Sequence, residues 1–95
     1  MAKGYWIIHV SVTNPEPYQE YIRRDTPIIE GLGGRFIVRG GTSDTKEGSL
    51  LQRHVIVEFD SYAQALAAWD DPAYQEVAAI RRANAESDVV IVEGT

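Results

Sequence analysis

Residues 5–12 (Tyr-Trp-Ile-Ile-His-Val-Ser-Val) are mostly β-branched or aromatic. Trp6, Ile8, Val10 and Val12 form one alternate row, and Tyr5, Ile7, His9 and Ser11 the other, a period that predicts a strand. The period then changes. Asn14 followed by Pro15 reads as an N-cap and a first-turn proline, and Tyr18, Tyr21, Ile22, Ile28, Ile29 and Leu32 recur at helical spacing, predicting a helix over residues 15–32. Pro27 removes a backbone donor inside that helix, so a kink or a break near Asp25–Thr26 is expected. Gly31, Gly33 and Gly34 end it. Arg35–Arg39 is a second strand, stopped by Gly40-Gly41, and Arg53–Phe59 a third. Between them Thr42–Leu51 is polar, a long hairpin loop expected to be the most mobile internal segment. Ser61-Tyr62-Ala63-Gln64 has the form of a capping box and opens a helix with Tyr62, Ala65, Leu66 and Trp69 on one face. Asp71-Pro72 breaks it, a further helical piece carries Tyr74, Val77, Ala78 and Arg81, and Asp88–Glu93 is a fourth strand.

The order β-α-β-β-α-β predicts an α+β fold over residues 1–95, a single ferredoxin-like split βαβ domain. Right-handed crossovers give an antiparallel sheet of order 4-1-3-2 with the helices on one face. The more apolar row of each strand should face the helices: Trp6, Ile8, Val10, Val12, Phe36, Val38, Val55, Val57, Phe59, Val90 and Val92. The other row still holds Ile7, Ile37, Ile56, Val89 and Ile91, a band too apolar for a solvated surface. Two such sheets packed face to face would cover it, so a homodimer is expected.

Composition supports a partner and narrows its kind. A domain of 95 residues buries only roughly 60–65% of its unfolded surface, and with no cysteine it has neither a disulfide nor a thiolate metal site to stiffen it. Fourteen Asp and Glu against nine Lys and Arg leave a formal charge of −5, which disfavours nucleic acid as a partner. The apolar run after Met1 is too short for a signal peptide or a membrane span, so the cytoplasm is the default location.

The non-helix row also collects the polar chemistry: His9, His54, Arg35, Arg39 and Glu58. A hairpin register would set Arg39 near His54 and Arg35 near Glu58. His9 could move a proton near neutral pH, or simply be a hydrogen-bonded interface histidine. Arg39 could clamp an anionic group beside Gly40-Gly41, or pair with a glutamate. Glu58 could act as a base only if no arginine holds it; pairing is its commoner fate. Trp69 could line a pocket mouth, or belong to the core. His9, His54 and Glu58 have the residue types of a metal site without a diagnostic spacing, so no metal is expected. The glycine pairs flank a strand and open no helix, which argues against a phosphate loop. The β-α-β-β-α-β order is shared with RNA-recognition domains, but the third strand here offers Arg53, His54, Ile56 and Glu58 in place of stacking aromatics.

Gly4-Tyr5-Trp6, Gly33-Gly34-Arg35-Phe36-Ile37-Val38-Arg39-Gly40-Gly41, Val57-Glu58-Phe59, Trp69-x-x-Pro72-x-Tyr74-Gln75 and the closing Asp88-x-x-Ile91-Val92-Glu93-Gly94 resemble the bacterial DUF1330 family of unknown function, within the dimeric α/β-barrel superfamily. The resemblance spans essentially the whole chain and implies a ferredoxin-like subunit with a barrel formed across a dimer. It brings no reaction. The wider superfamily includes cofactor-independent monooxygenases, isomerases and haem-handling enzymes, whose catalytic positions differ and do not transfer. Three classes of function follow: a small-molecule enzyme without a tightly bound cofactor, acting on an anionic or aromatic metabolite; a non-catalytic metabolite-binding protein; and a structural homodimer with no ligand. The site residues expected are His9 and Glu58 for catalysis, and Arg39 and Trp69 for binding.

Overall fold

A computed structural model describes residues 2–95. The elements run β1 (Gly4–Val12), α1 (Pro15–Gly31), β2 (Arg35–Arg39), β3 (Arg53–Phe59), α2 (Tyr62–Trp69), α3 (Pro72–Asn84) and β4 (Ala85–Glu93). All pairings are antiparallel, in the order β2-β3-β1-β4, as the crossover rule requires. Trp6, Ile8 and Val10 of β1 and Val55, Val57 and Phe59 of β3 meet Tyr18, Tyr21 and Ile29 of α1, Ala65 and Ala68 of α2 and Tyr74, Val77 and Ala78 of α3 in one core. Trp6 is fully buried, and its indole N–H donates to the Ala65 carbonyl at 2.8 Å.

Local chemistry departs from expectation at two helix positions. The Asn14 side chain makes no cap; it donates to Asn84 Oδ1 at 3.2 Å and ties the start of α1 to the end of α3. Pro27 does not break α1, which continues to Gly31. Ser61 does cap α2 by accepting from the Gln64 amide, and Asp71 caps α3 through the amides of Ala73 and Tyr74.

Two strands turn their faces the other way from the prediction. In β4, Ile91 stands opposite Trp6 and Val89 opposite Ile8, so these two pack toward the helices. Val90, 54% exposed, and Val92 lie on the open side. In β2 the ladder slips between Phe36 and Val38. Phe36 pairs with Val57, but the next aligned partners are Val38 with Ile56 and Arg39 with Val55, leaving Ile37 as the extra residue, 51% exposed. A bulge of one residue exchanges the two faces of everything beyond it. Val38 therefore joins the open face, and Arg39 turns under the helices.

Candidate functional site

The strand shifts divide the polar residues into two groups, one on each side of the sheet. On the open side, His9 and His54 are direct cross-strand partners, with Nδ1 atoms 2.8 Å apart. One nitrogen must donate and the other accept, so the pair shares one proton at this contact. Glu58 Oε1 accepts from Arg35 Nη2 at 2.7 Å and Nε at 3.2 Å, and its Oε2 accepts from the Tyr5 hydroxyl at 3.1 Å. The hydrogen bonds from Arg35 hold the Glu58 carboxyl below its usual range, which makes it a poor base near neutrality. Arg35 also reaches Asp60 at 3.3 Å. Arg35, Glu58 and Tyr5 satisfy one another.

The second group lies between α1 and the sheet. Here a narrow recess is lined by Tyr18, Tyr21, Asp25, Arg39, Arg53 and Arg81, with Ile8, Ile22, Ile29, Phe36 and Val55 as its apolar wall. It encloses about 330 Å³ including its mouth, of which only about 10 Å³ admits the centre of a water molecule. Arg39 arrives by the β2 bulge. Its Nη2 donates to Thr26 Oγ1 at 2.6 Å and to Asp25 Oδ1 at 3.2 Å, and its guanidinium carbon sits 3.9 Å above the Phe36 ring. Asp25 is 4% exposed. Burial raises its pKa to about 6, against the opposing pull of Arg39, Thr26, Tyr21 and Arg53.

Arg81 comes from α3 and is 2% exposed. One terminal nitrogen, Nη1, donates to the Ser87 hydroxyl. Its Nε and Nη2 are buried with no hydrogen-bond partner. Burial works against its charge, but the oxygens of Tyr74 and Tyr21 more than offset this, so its pKa is raised. Those two hydroxyls bond to each other at 3.0 Å. Arg53, in the helix-facing row of β3, also has a buried Nε without a partner. Gly40, at φ +68°, leaves the room its guanidinium occupies: a Cβ there would lie 2.2 Å from Arg53 Nη1.

His9 and Glu58 thus share one face, while Arg39 and Trp69 lie on the other, and the expected convergence of His9 with Arg39 does not occur. Arg39 stands opposite Val55, away from His54. The expected Arg35–Glu58 pair is present. Trp69 packs edge-to-face on Trp6, ring centres 5.3 Å apart, and does not line the recess. Asp25, Arg53 and Arg81 are the site residues that sequence reasoning passed over. Their signal was present: Asp25 follows Tyr18, Tyr21 and Ile22 at helical spacing, Arg81 follows Tyr74, Val77 and Ala78, and Arg53 shares an alternate row with Val55, Val57 and Phe59. A charged residue on an apolar stripe is either paired or functional.

The DUF1330 family, described as a domain of unknown function, matches residues 3–95. No curated protein matches the chain significantly. Among solved structures, the RPA0582 protein of unknown function from Rhodopseudomonas palustris is similar at a TM-score of 0.78 and 21% identity, over 99% of this chain and 83% of that one. A hypothetical Arabidopsis thaliana protein is similar at a TM-score of 0.72 and 14% identity, over 100% and 90% of the two chains. SnoaB from Streptomyces nogalater, a cofactor-independent oxygenase, is similar at a TM-score of 0.67 and 12% identity, over 97% and 92%. At these identities the likeness is one of fold.

Proposed function

The chain belongs to the DUF1330 family, and since that membership assigns no activity, we propose from the site itself that it binds a small organic anion in the recess beneath α1 and moves a proton on it. The observation that carries this reading is the set of unpartnered guanidinium nitrogens, Nε of Arg53 and Nε and Nη2 of Arg81, in a closed space that also holds Asp25. A buried cation with empty donors is unfavourable unless something arrives to fill them. Arg39, Arg53 and Arg81 hold the anion. Asp25, with a pKa near 6, is matched to accept a proton at neutral pH, and the arginines stabilise the negative charge that develops as the proton leaves. Such chemistry needs no cofactor. SnoaB, on a similar fold, is itself a cofactor-independent oxygenase.

The experiment is a thermal-shift and calorimetric panel of small carboxylates, followed by solvent deuterium exchange into any 2-oxo acid that binds. A carboxylate that raises the melting temperature of the wild type and fails to do so with Arg53→Gln supports the site. Deuterium exchange lost in Asp25→Asn, with binding retained, assigns the base; binding without exchange makes the protein a carrier. No response to any carboxylate overturns the reading.

The open face supports a second, independent reading, a homodimer. Ile7 of β1, Val38 of β2, Ile56 of β3, and Val90 and Val92 of β4 form its apolar band. The polar neighbours, His9 with His54 and Arg35 with Glu58 and Tyr5, are already paired. A second copy could therefore cover the apolar band without orphaning these groups, with Asp88 and Glu86 of β4 left at the rim.

A further inference from the structure

The recess has an unbalanced charge. Arg39, Arg53 and Arg81 line it, with Asp25 as the one acidic residue in its wall, so three guanidinium charges face one carboxylate and two positive charges are left over. The two come from different elements. Asp25 already engages Arg39 at 3.2 Å. The remaining cations are Arg81, sealed in the interior, and Arg53, half-buried on β3 beside Gly40.

The free atoms of Arg81 define a particular shape. Nη1 is held by Ser87. Nε and Nη2 point their hydrogens in parallel along one edge of the planar guanidinium, the edge that a carboxylate fills with two parallel hydrogen bonds. Both are buried and neither makes a well-formed hydrogen bond among the described residues, though the Tyr74 and Tyr21 hydroxyls favour the charge. A single water, which is all that the present space of about 10 Å³ admits, could engage these donors but would leave the charge unanswered. The rings of Tyr21 and Trp69, 5.7 and 5.9 Å from the guanidinium carbon, flank the group but supply no anion.

Resting on the anion-binding reading above, we propose that the ligand is a small dicarboxylate, with one carboxylate on the Nε/Nη2 edge of Arg81 and the other on Arg53 at the rim. Two unanswered cations, one from β3 and one from α3, call for a ligand with two negative groups. A compact dianion such as phosphate concentrates its charge at one of them. Entry requires the rim to open, and its two arginines, Arg39 and Arg53, are only partly buried, whereas Arg81 is fixed by its packing and by Ser87.

The test is calorimetric titration of the wild-type chain with malonate, with malonamate (the same skeleton with one end neutral) and with inorganic phosphate. Malonate should bind about 10- to 100-fold more tightly than malonamate, the range expected for one charge-assisted pair shielded from water. Arg53→Gln should erase that ratio, with malonate losing far more affinity than malonamate. Arg81→Lys keeps the charge but removes the two-pronged edge, and should weaken malonate and malonamate alike. Equal affinity for malonate and malonamate, or tighter binding of phosphate than of either, overturns the dicarboxylate while leaving an anion site standing. Failure of all three probes to bind removes both this proposal and the anion-binding reading.

Discussion

The two faces of the sheet carry similar side chains in opposite conditions. On the open face, Arg35 gives two hydrogen bonds to Glu58, Tyr5 supplies a third, and His9 satisfies His54. On the helix face, Arg81 and Arg53 are buried with donors unfilled, and Asp25 is held in a setting that raises its pKa. The open face has the composition of a catalytic cluster, with two histidines, a glutamate and an arginine, yet its glutamate is held by Arg35 and Tyr5 and its histidines meet through Nδ1. The helix face has no histidine at all, yet it is the one with unspent hydrogen-bonding and charge. Residue type suggests where chemistry could be; the balance of partners says where it is still available.

The largest expected effect tests what the open face is for. If two copies pair through it, Ile56→Asp places an unpaired charge in the interface, costing several kcal/mol, and should dissociate or unfold the protein. Sedimentation equilibrium of the wild type should then give about twice 10.6 kDa, and the variant should not. A wild-type monomer at micromolar concentration, with Ile56→Asp as stable as the parent, would show that the apolar band is only a surface.

Next in size is a pH effect confined to the helix face. Asp25 ordinarily titrates at 3.8 and is raised to about 6 in the fold, mainly by burial. An acid raised in this way stabilises the fold in its protonated form. The contribution is complete below 3.8 and is lost as pH rises through about 6, amounting to roughly 3 kcal/mol across the window. Denaturant melts of wild type and Asp25→Asn should therefore diverge as pH rises, with the variant gaining on the parent from about pH 4 to about pH 7 and no further change above that. A difference that shrinks with rising pH would mean that Arg39 dominates over burial and that Asp25 is a plain ion-pair partner.

Most of this architecture could be read from the chain, and the failures have a common cause. Strand and helix order, the sheet order and the Ser61 cap all follow from clear periods or turn chemistry. The face of β4 could not be read, because Val89-Val90-Ile91-Val92 is apolar throughout and carries no alternation. Phe36-Ile37-Val38 is likewise continuous, so nothing marked the bulge that sends Arg39 under the helices. That one-residue slip separated Arg39 from His9 and placed it on the helix face of the sheet. Asp25 and Arg81 were legible as charges on apolar helical stripes, but only the fold shows that they converge.

A third effect, of about 1–3 kcal/mol, has a sign that sets the faces apart. Arg81→Met replaces a buried cation whose Nε and Nη2 have no partners by an apolar chain of similar length, at the loss of the Ser87 hydrogen bond. The unliganded protein should become more stable, while binding of small carboxylates is abolished. Such an exchange of stability for binding is the mark of a group kept for its ligand. A marked loss of stability in urea melts of Arg81→Met would make Arg81 a structural residue and bring the two faces back to equivalence.

The smallest effect concerns the segment joining the two rim arginines. Arg39 ends β2 and Arg53 begins β3, and the chain from residue 41 to residue 50 is exposed throughout. With few buried contacts its amides should exchange quickly in the free protein. The Gly40 amide, bonded to the His54 carbonyl at 2.8 Å, should mark where protection resumes. A ligand that engages Arg53, which lies against Gly40, steadies both ends of this loop, so saturating malonate should slow exchange modestly next to residues 40 and 53. The amides of β4 beyond Val90 should be unchanged, because β4 meets the recess residues at Ser87, which holds Arg81. Slowing on β4 without slowing in the loop would put the ligand on the wrong side of the sheet. Loop amides as protected as those of β1 in the free protein would show the loop packed against something, with the second subunit as the first candidate.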